Sequence, residues 1–210
     1  MDWFRFFEHL QLVATSVAFT VICGLPIGLG AYLFPAAGKF ILRAVDILQT
    51  IPSLALLGMV MTVFGAGKTT VVVGLVLYAM LPVVTNTYVG LNGISPCIKD
   101  AAMGMGMTKL YCLVHVELPN AFPIIFTGIR IATVTSVGAA VFAAYVGGGG
   151  LGSLIHRGMR IQSFELIAFS TFSLMAMAVV CDTLMGFMEK RLQVGPRSQH
   201  RKKQKKGGTK

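Results

Sequence analysis

HLQLVATSVAFTVICGLPIGLGAYLFPAAG, residues 9–38, contains no Asp, Glu, Lys or Arg. A helix needs about 20 mostly apolar residues to cross the hydrocarbon core of a bilayer, and this run exceeds that. Three more charge-free runs extend from Ile47 to Gly67, from Thr69 to Ile98 and from Ile131 to His156. A last one runs from Leu166 to Cys181, stops at Asp182 and resumes to Met188. Hydrocarbon offers no partner to backbone N–H and C=O groups, so each segment must satisfy them internally as a helix. The expected spans lie near 10–33, 45–64, 70–91, 121–146 and 164–188. The fold class is therefore all-α, a polytopic membrane protein with about five transmembrane helices.

Composition agrees. Hydrophobic residues make up 55% of the 210 and charged residues 12%, about half the ~25% of globular chains. So few charges cannot cover the surface of a soluble domain of this size, and the apolar content excludes disorder and coiled coil. The net charge of +10 raises nucleic-acid binding, but its distribution argues against it. Lys190 to Lys210 holds nine Lys or Arg and no acid, which leaves the rest of the chain nearly neutral. No aromatic stacking platform accompanies the basic run. The organisation expected is a transmembrane domain over 1–189 and a basic, disordered tail over 190–210, facing the cytoplasm and anionic headgroups.

Five spans place the termini on opposite sides. With the tail inside, the inner loops hold Lys39, Arg43, Lys99 and Lys109, and the outer ones Arg5, Lys68, Arg157 and Arg160. The positive-inside rule then sets the N-terminus outside and the C-terminus in the cytoplasm. Gly24, Gly28 and Gly30 in the first span suit close helix approach.

Several motifs mislead. Gly65-Ala66-Gly67-Lys68-Thr69-Thr70 imitates a phosphate loop, but Thr62 stands where its first glycine belongs and no strand precedes it. A turn between helices is the better reading. Gly147, Gly149 and Gly152 satisfy GxGxxG without a preceding strand, so Gly147–Gly150 reads as a flexible or tightly folded linker. Met103, Met105 and Met107 could suggest Cu(I), but a flexible contact surface explains them at least as well. Cys23, Cys97, Cys112 and Cys181 have no metal-type spacing and read as small buried hydrophobes. His9, His115, His156 and His200 form no ligand pair. Arg43 and Asp46 are expected at a solvated interface rather than in a pair.

The segment from Asn92 to Asn120 differs from its surroundings. Ser95-Pro96 signals a helix start through a hydroxyl cap followed by proline. Gly104 and Gly106 suit a left-handed end, and Thr108 suits the cap of a second helix with Leu110, Leu113, Val114 and Val116 on its apolar side. Leu118-Pro119 should stop that helix and return the chain to the membrane.

Within this segment stand Asp100-Ala101-Ala102, three residues, Gly106, nine residues, then Val116-x-Leu118-Pro119. The arrangement resembles the EAA motif of ABC importer permeases, EAA-x3-G-x9-I-x-LP, with Asp100 for Glu and Val116 for Ile. Asn86-Thr87-Tyr88-x-Gly90-x-x-Gly93, Gln49 to Ala55 and Gly147 to Gly152 resemble the osmoprotectant branch, which imports glycine betaine, choline, carnitine and related amines. Permeases of methionine importers share the size, the loop and a glycine-rich run, and are the alternative. The resemblance implies a type I ABC importer permease fold, like that of the methionine permease, in a bacterial cell membrane. It implies that the loop is a coupling helix docking on a separate ATPase through Asp100, Ala101, Ala102, Gly106, Val116, Leu118 and Pro119. It also implies a second permease chain, identical or homologous, and a separate extracellular solute-binding protein. No cofactor is then bound by this chain, and ATP and Mg belong to the ATPase. The chain is expected to be no enzyme: it carries no nucleotide-binding motif in context.

The pathway is less sharply marked. Arg130 is a full charge inside an apolar region, which invites a functional reading, although anchoring or snorkelling explains it more simply. Thr133, Thr135 and Ser136 could line a path or bond between helices. Tyr88, Tyr145 and Phe142 could offer cation–π contact to a quaternary amine, although interfacial anchoring explains Tyr88 and Tyr145 more simply. The pathway candidates retained are Tyr88, Arg130, Thr133 and Ser136. A membrane-embedded enzyme would need clustered catalytic groups at depth, which the sequence lacks. A tail-anchored scaffold would leave the loop spacing unexplained.

Overall fold

The structure, a computed structural model, describes residues 3–192. The tail expected over 190–210 lies outside them beyond Leu192. Among the described residues all regular structure is helical. Helix α1 covers Trp3–Leu33, α2 Pro35–Thr50, α3 Ser53–Phe64 and α4 Lys68–Asn92. After the short α5 (Pro96–Gly104) comes α6 (Lys109–Cys112), a π-helical turn (Leu113–Glu117), α7 (Leu118–Ala139) and a 3-10 stretch (Ala140–Val146). Helices α8 (Gly152–Arg160) and α9 (Phe164–Leu192) complete the described residues.

Four stretches are long and apolar enough to cross a membrane: Trp3–Leu33, Lys68–Asn92, Lys109–Val146 and Phe164–Arg191. The fifth expected span is broken. Helices α2 and α3 meet at an angle of 101°, where a single helix over 45–64 was expected. Proline explains the break: Pro52 has no N–H to continue the ladder and drives the preceding residue out of the helical region. Ile51 accordingly sits at φ −71°, ψ 127°.

Helix α4 is the centre. Against it α1 presents Gly24 and Gly28, four residues apart on one face. A Cβ on Gly24 would lie 2.9 Å from Val83 Cγ1, and one on Gly28 2.7 Å from Thr87 Cβ. The small residues thus let two backbones approach, as small-xxx-small pairs do in membranes. Gly30 faces open space and has no part in this contact. Helix α7 packs on α4 and α9 packs on α7. Four apolar clusters fill the bundle, two of them larger than the others. One, at the glycine-rich end, gathers Leu12, Val71, Leu75, Val137, Ala143 and Leu151. The other, at the loop end, gathers Leu91, Ile94, Leu113, Ala121 and Ile125.

The helix expected to stop at Leu118-Pro119 does not. It runs on into α7, and the π turn is the means. Pro119 cannot donate to the carbonyl four residues back and crowds it. Widening the preceding turn relieves both problems, with the Leu118 N–H bonded to Leu113 O. Helix α8 was not expected at all. Its two arginines and a histidine mark an amphipathic helix rather than a loop, with Gly152, Leu154 and Gly158 buried.

Candidate functional site

The loop folds from its local signals. Ser95 takes extended geometry (φ −54°, ψ 132°) with Pro96 in the first turn of α5, but its hydroxyl makes no cap hydrogen bond. The helix ends through Gly106, at φ +83°, where an L side chain costs about 1–2 kcal/mol. Gly104 stays helical. The Thr108 hydroxyl accepts the Tyr111 N–H at 3.3 Å, as a cap should. The apolar side assigned to the second helix divides. Leu113 is buried, Val116 half-buried, and Leu110 and Val114 exposed.

Of α5 only Ala102 is buried. Asp100 and Ala101 are exposed, and no described residue forms an ion pair with Asp100. Ile98, Met103, Met105, Leu110 and Tyr111 are exposed beside them. A free carboxylate among exposed apolar side chains is a surface able to be covered. Val116, Leu118 and Pro119 do not join it as one patch, since they lie in the π turn and the first turn of α7.

Beneath α5 lies a polar node. Lys99 Nζ donates to the Tyr32 hydroxyl at 2.6 Å and to the Leu91 carbonyl at 3.4 Å. The Tyr32 hydroxyl donates to Glu117 Oε2 at 2.6 Å, and Lys99 and Glu117 stand 3.8 Å apart. Four elements, α1, α4, α5 and the π turn, meet here.

At the other end of α1 a second carboxylate works. Glu8 pairs with Arg5 at 2.8 Å and Lys68 at 3.0 Å and accepts the Gly150 N–H at 2.9 Å. His9, fully buried, donates through Nε2 to the Val137 carbonyl at 3.1 Å. Gly149 and Gly150 adopt φ of +81° and +75°, so the glycine run is tightly folded. Lys68 is thereby occupied by Glu8, and Gly67 N–H bonds to Val146 O at 2.8 Å: the imitation of a phosphate loop is a turn clasped to the same end.

The pathway candidates do not converge. Tyr88 is half-buried on α4. Arg130 binds Asp182 with two bonds of 2.7 and 2.9 Å and Glu189 with one of 2.8 Å, while Thr127 donates to Glu189 at 2.7 Å. Asp182, Gly186 and Glu189 share one face of α9, and a Cβ on Gly186 would lie 3.3 Å from the guanidinium. Arg130 is thus laid across α9 as an anchor, the simpler of its two readings. Thr133 and Thr135 bond back to Ile129 O and Ile131 O on their own helix, not between helices, and buried Ser136 Oγ has no partner among the described residues. Tyr145 packs edge-on to His156, with ring centroids 4.9 Å apart. Two cysteines, Cys23 and Cys97, are exposed rather than buried. Arg43 and Asp46 form no ion pair with each other.

Sequence reasoning missed Tyr32, Lys99 and Glu117 as a group, and Glu8, Asp182 and Glu189 as partners. The signal was scarcity. The chain has 8 acidic residues, and a carboxylate beside or within an apolar run is costly unless paired.

The chain matches, over residues 20–194, the family described as the binding-protein-dependent transport system inner membrane component. It belongs to that family. Among curated relatives, the carnitine transport permease protein OpuCB of Listeria monocytogenes is 32% identical over 88% of this chain and 85% of its own length. The osmoprotectant import permease protein OsmY of Salmonella typhimurium is 37% identical, over 88% and 79%. The choline transport system permease protein OpuBD of Bacillus subtilis is 36% identical, over 90% and 84%. Among solved structures, an inward-facing MetNI methionine ABC transporter contains a chain with a TM-score of 0.80 and 21% identity, matched over 89% of this chain and 94% of that one. That likeness shows the fold, a methionine-permease-like arrangement of helices. As a member of this family the protein is an inner-membrane permease component of a transport system that works with a binding protein.

Proposed function

We propose that the chain is the transmembrane permease subunit of an ATP-driven importer of osmoprotectants: glycine betaine, choline, carnitine and similar quaternary amines. The observation that carries this reading is the set of relatives at 32–37% identity over about nine-tenths of the chain, named for carnitine, choline and osmoprotectant import. Two permease chains, identical or homologous, form the pathway. The loop over 92–120 faces the cytoplasm and docks on a separate ATPase, which binds ATP and Mg. The exposed Asp100 and Ala101 on α5, and the turn at Gly106, support this assignment of the docking surface. The N-terminus lies outside, the basic tail inside, and a separate binding protein delivers solute to the outer face. Tyr88, Thr133 and Ser136 are retained as residues that could line the pathway once two permease chains come together, with Arg130 holding α7 to α9.

The ATPase drives the change between outward- and inward-facing states by moving the coupling helices as rigid bodies. Reconstitution of the permease with its ATPase and binding protein in liposomes tests the reading. ATP-dependent uptake of radiolabelled glycine betaine, choline or carnitine is expected. Uptake of methionine instead, with none of the amines, would assign the protein to the methionine type.

A further inference from the structure

We infer that Lys99, Tyr32 and Glu117 form the positioning node through which movement of α5 reaches the membrane helices. This rests on the reading of α5 as the ATPase-docking helix. The argument begins with how lightly α5 is held. Only Ala102 of its nine residues is buried, so apolar packing cannot transmit much force to it or from it. The remaining attachment is polar. The Lys99 ammonium reaches past its own helix to the last turn of α1 and to the Leu91 carbonyl near the end of α4. Its direct approach to Glu117, at 3.8 Å, is long for a charge-assisted hydrogen bond. The phenol closes the gap. It accepts from Lys99 at 2.6 Å and donates to Glu117 at 2.6 Å, so one hydroxyl joins cation and carboxylate. The ammonium also lies 4.9 Å from the Tyr32 ring centroid.

Position makes the node more than a surface pair. The side chains of Lys99 and Glu117 are 26% and 11% exposed, so solvent and salt screen them less than a fully exposed pair. Glu117 closes the π turn, where the backbone bonds are already out of α-helical register, and π turns concentrate at functional sites. Tyr32 also packs against the apolar cluster of Leu91, Ile94 and Leu113. A pull on α5 therefore acts on the end of α1 and on the root of α7 together. Tyr32 and Glu117 lie beneath α5, away from its exposed Asp100 and Ala101. They act through Lys99.

The test uses the full complex of permease, ATPase and binding protein in liposomes, with Tyr32→Phe and Glu117→Gln. Three quantities are read: co-purification of the ATPase, ATP hydrolysed, and solute imported per ATP. Tyr32→Phe removes both short bonds with one atom lost. The expected result is co-purification at the unmodified ratio, with import per ATP lower by about tenfold or more. Glu117→Gln keeps the shape, removes the charge, and should lower the same ratio. An unchanged ratio in both variants would overturn the node, as would loss of co-purification in Tyr32→Phe, which would make Tyr32 a support of the docking surface alone. The underlying reading fails differently: an unmodified complex that lacks ATP-dependent import, or that keeps its ATPase after replacement of Asp100 to Gly106, would sink that reading whatever the variants do.

Discussion

Helix α1 carries a carboxylate cluster at each end, and the two are built on opposite principles. At the glycine-rich end Glu8 is itself on α1, its oxygens fixed by a backbone N–H of a tightly folded loop and by two cations. The surrounding backbone is close-packed and left-handed. At the loop end the carboxylate is on another helix, and side chains make most of the connection, through a phenol and a long, rotatable lysine that also reaches the Leu91 carbonyl. Backbone-fixed clusters resist deformation; side-chain clusters can shift while staying bonded. The first end is suited to hold shape and the second to move.

The largest expected effect lies at the rigid end. Gly150→Val places a branched side chain at φ +75° against His9. Strain and overpacking together should cost about 2–5 kcal/mol, measured by thermal unfolding of the purified permease in detergent. A loss under about 1 kcal/mol would mean that this end is as yielding as the other. Next comes Glu8→Ala. It orphans the buried Gly150 N–H and should cost about 1–3 kcal/mol, while import per ATP of the surviving protein stays constant. A changed ratio without loss of stability would reverse the contrast between the two ends.

Smaller effects sharpen it. A Cβ on Gly106 meets no neighbour within 4 Å, so Gly106→Ala should act only through backbone strain of about 1–2 kcal/mol. The strain is local to α5 and its turn. Unfolding temperature should move little, while ATPase co-purification falls measurably; Gly106→Leu should lower it further. An unfolding shift as large as that of Gly150→Val would show the loop to be part of the folded core. The smallest effect belongs to Lys68→Ala. That side chain is 57% exposed, so its pair with Glu8 should be worth no more than about 1 kcal/mol, read in the same melt.

The contrast also separates what was legible in the sequence. The spans were, because a charge-free run of twenty residues has few physical outcomes. The loop was too: Ser95-Pro96, Gly106 and Thr108 act on neighbours within four residues, and helix, turn and cap appeared where they pointed. Pro52 was legible in principle, and its 101° bend was missed only because the apolar run on either side outweighed it. Proline at 119 misled in the opposite sense. A helix was expected to stop there, but tertiary packing favoured absorbing the defect in a π turn. The clusters were not legible. Tyr32 and Glu117 are 85 residues apart and Arg130 and Asp182 52 apart, and no local pattern records which helices will lie side by side. The same holds for Thr133 and Thr135, whose hydroxyls found carbonyls on their own helix.

The long helix from Lys109 to Val146 gives this arrangement one more consequence. It is tied to α1 twice, by Tyr32 on Glu117 near its start and by His9 on the Val137 carbonyl near its finish. Two rods pinned together at both ends form a closed frame. Such a frame cannot splay open at one end like scissors without snapping a pin. It can tilt as a unit or shear into a parallelogram. A push at the loop end then bears on the glycine-rich end through the frame itself, the two pins standing some 30–35 Å apart at 1.5 Å per residue.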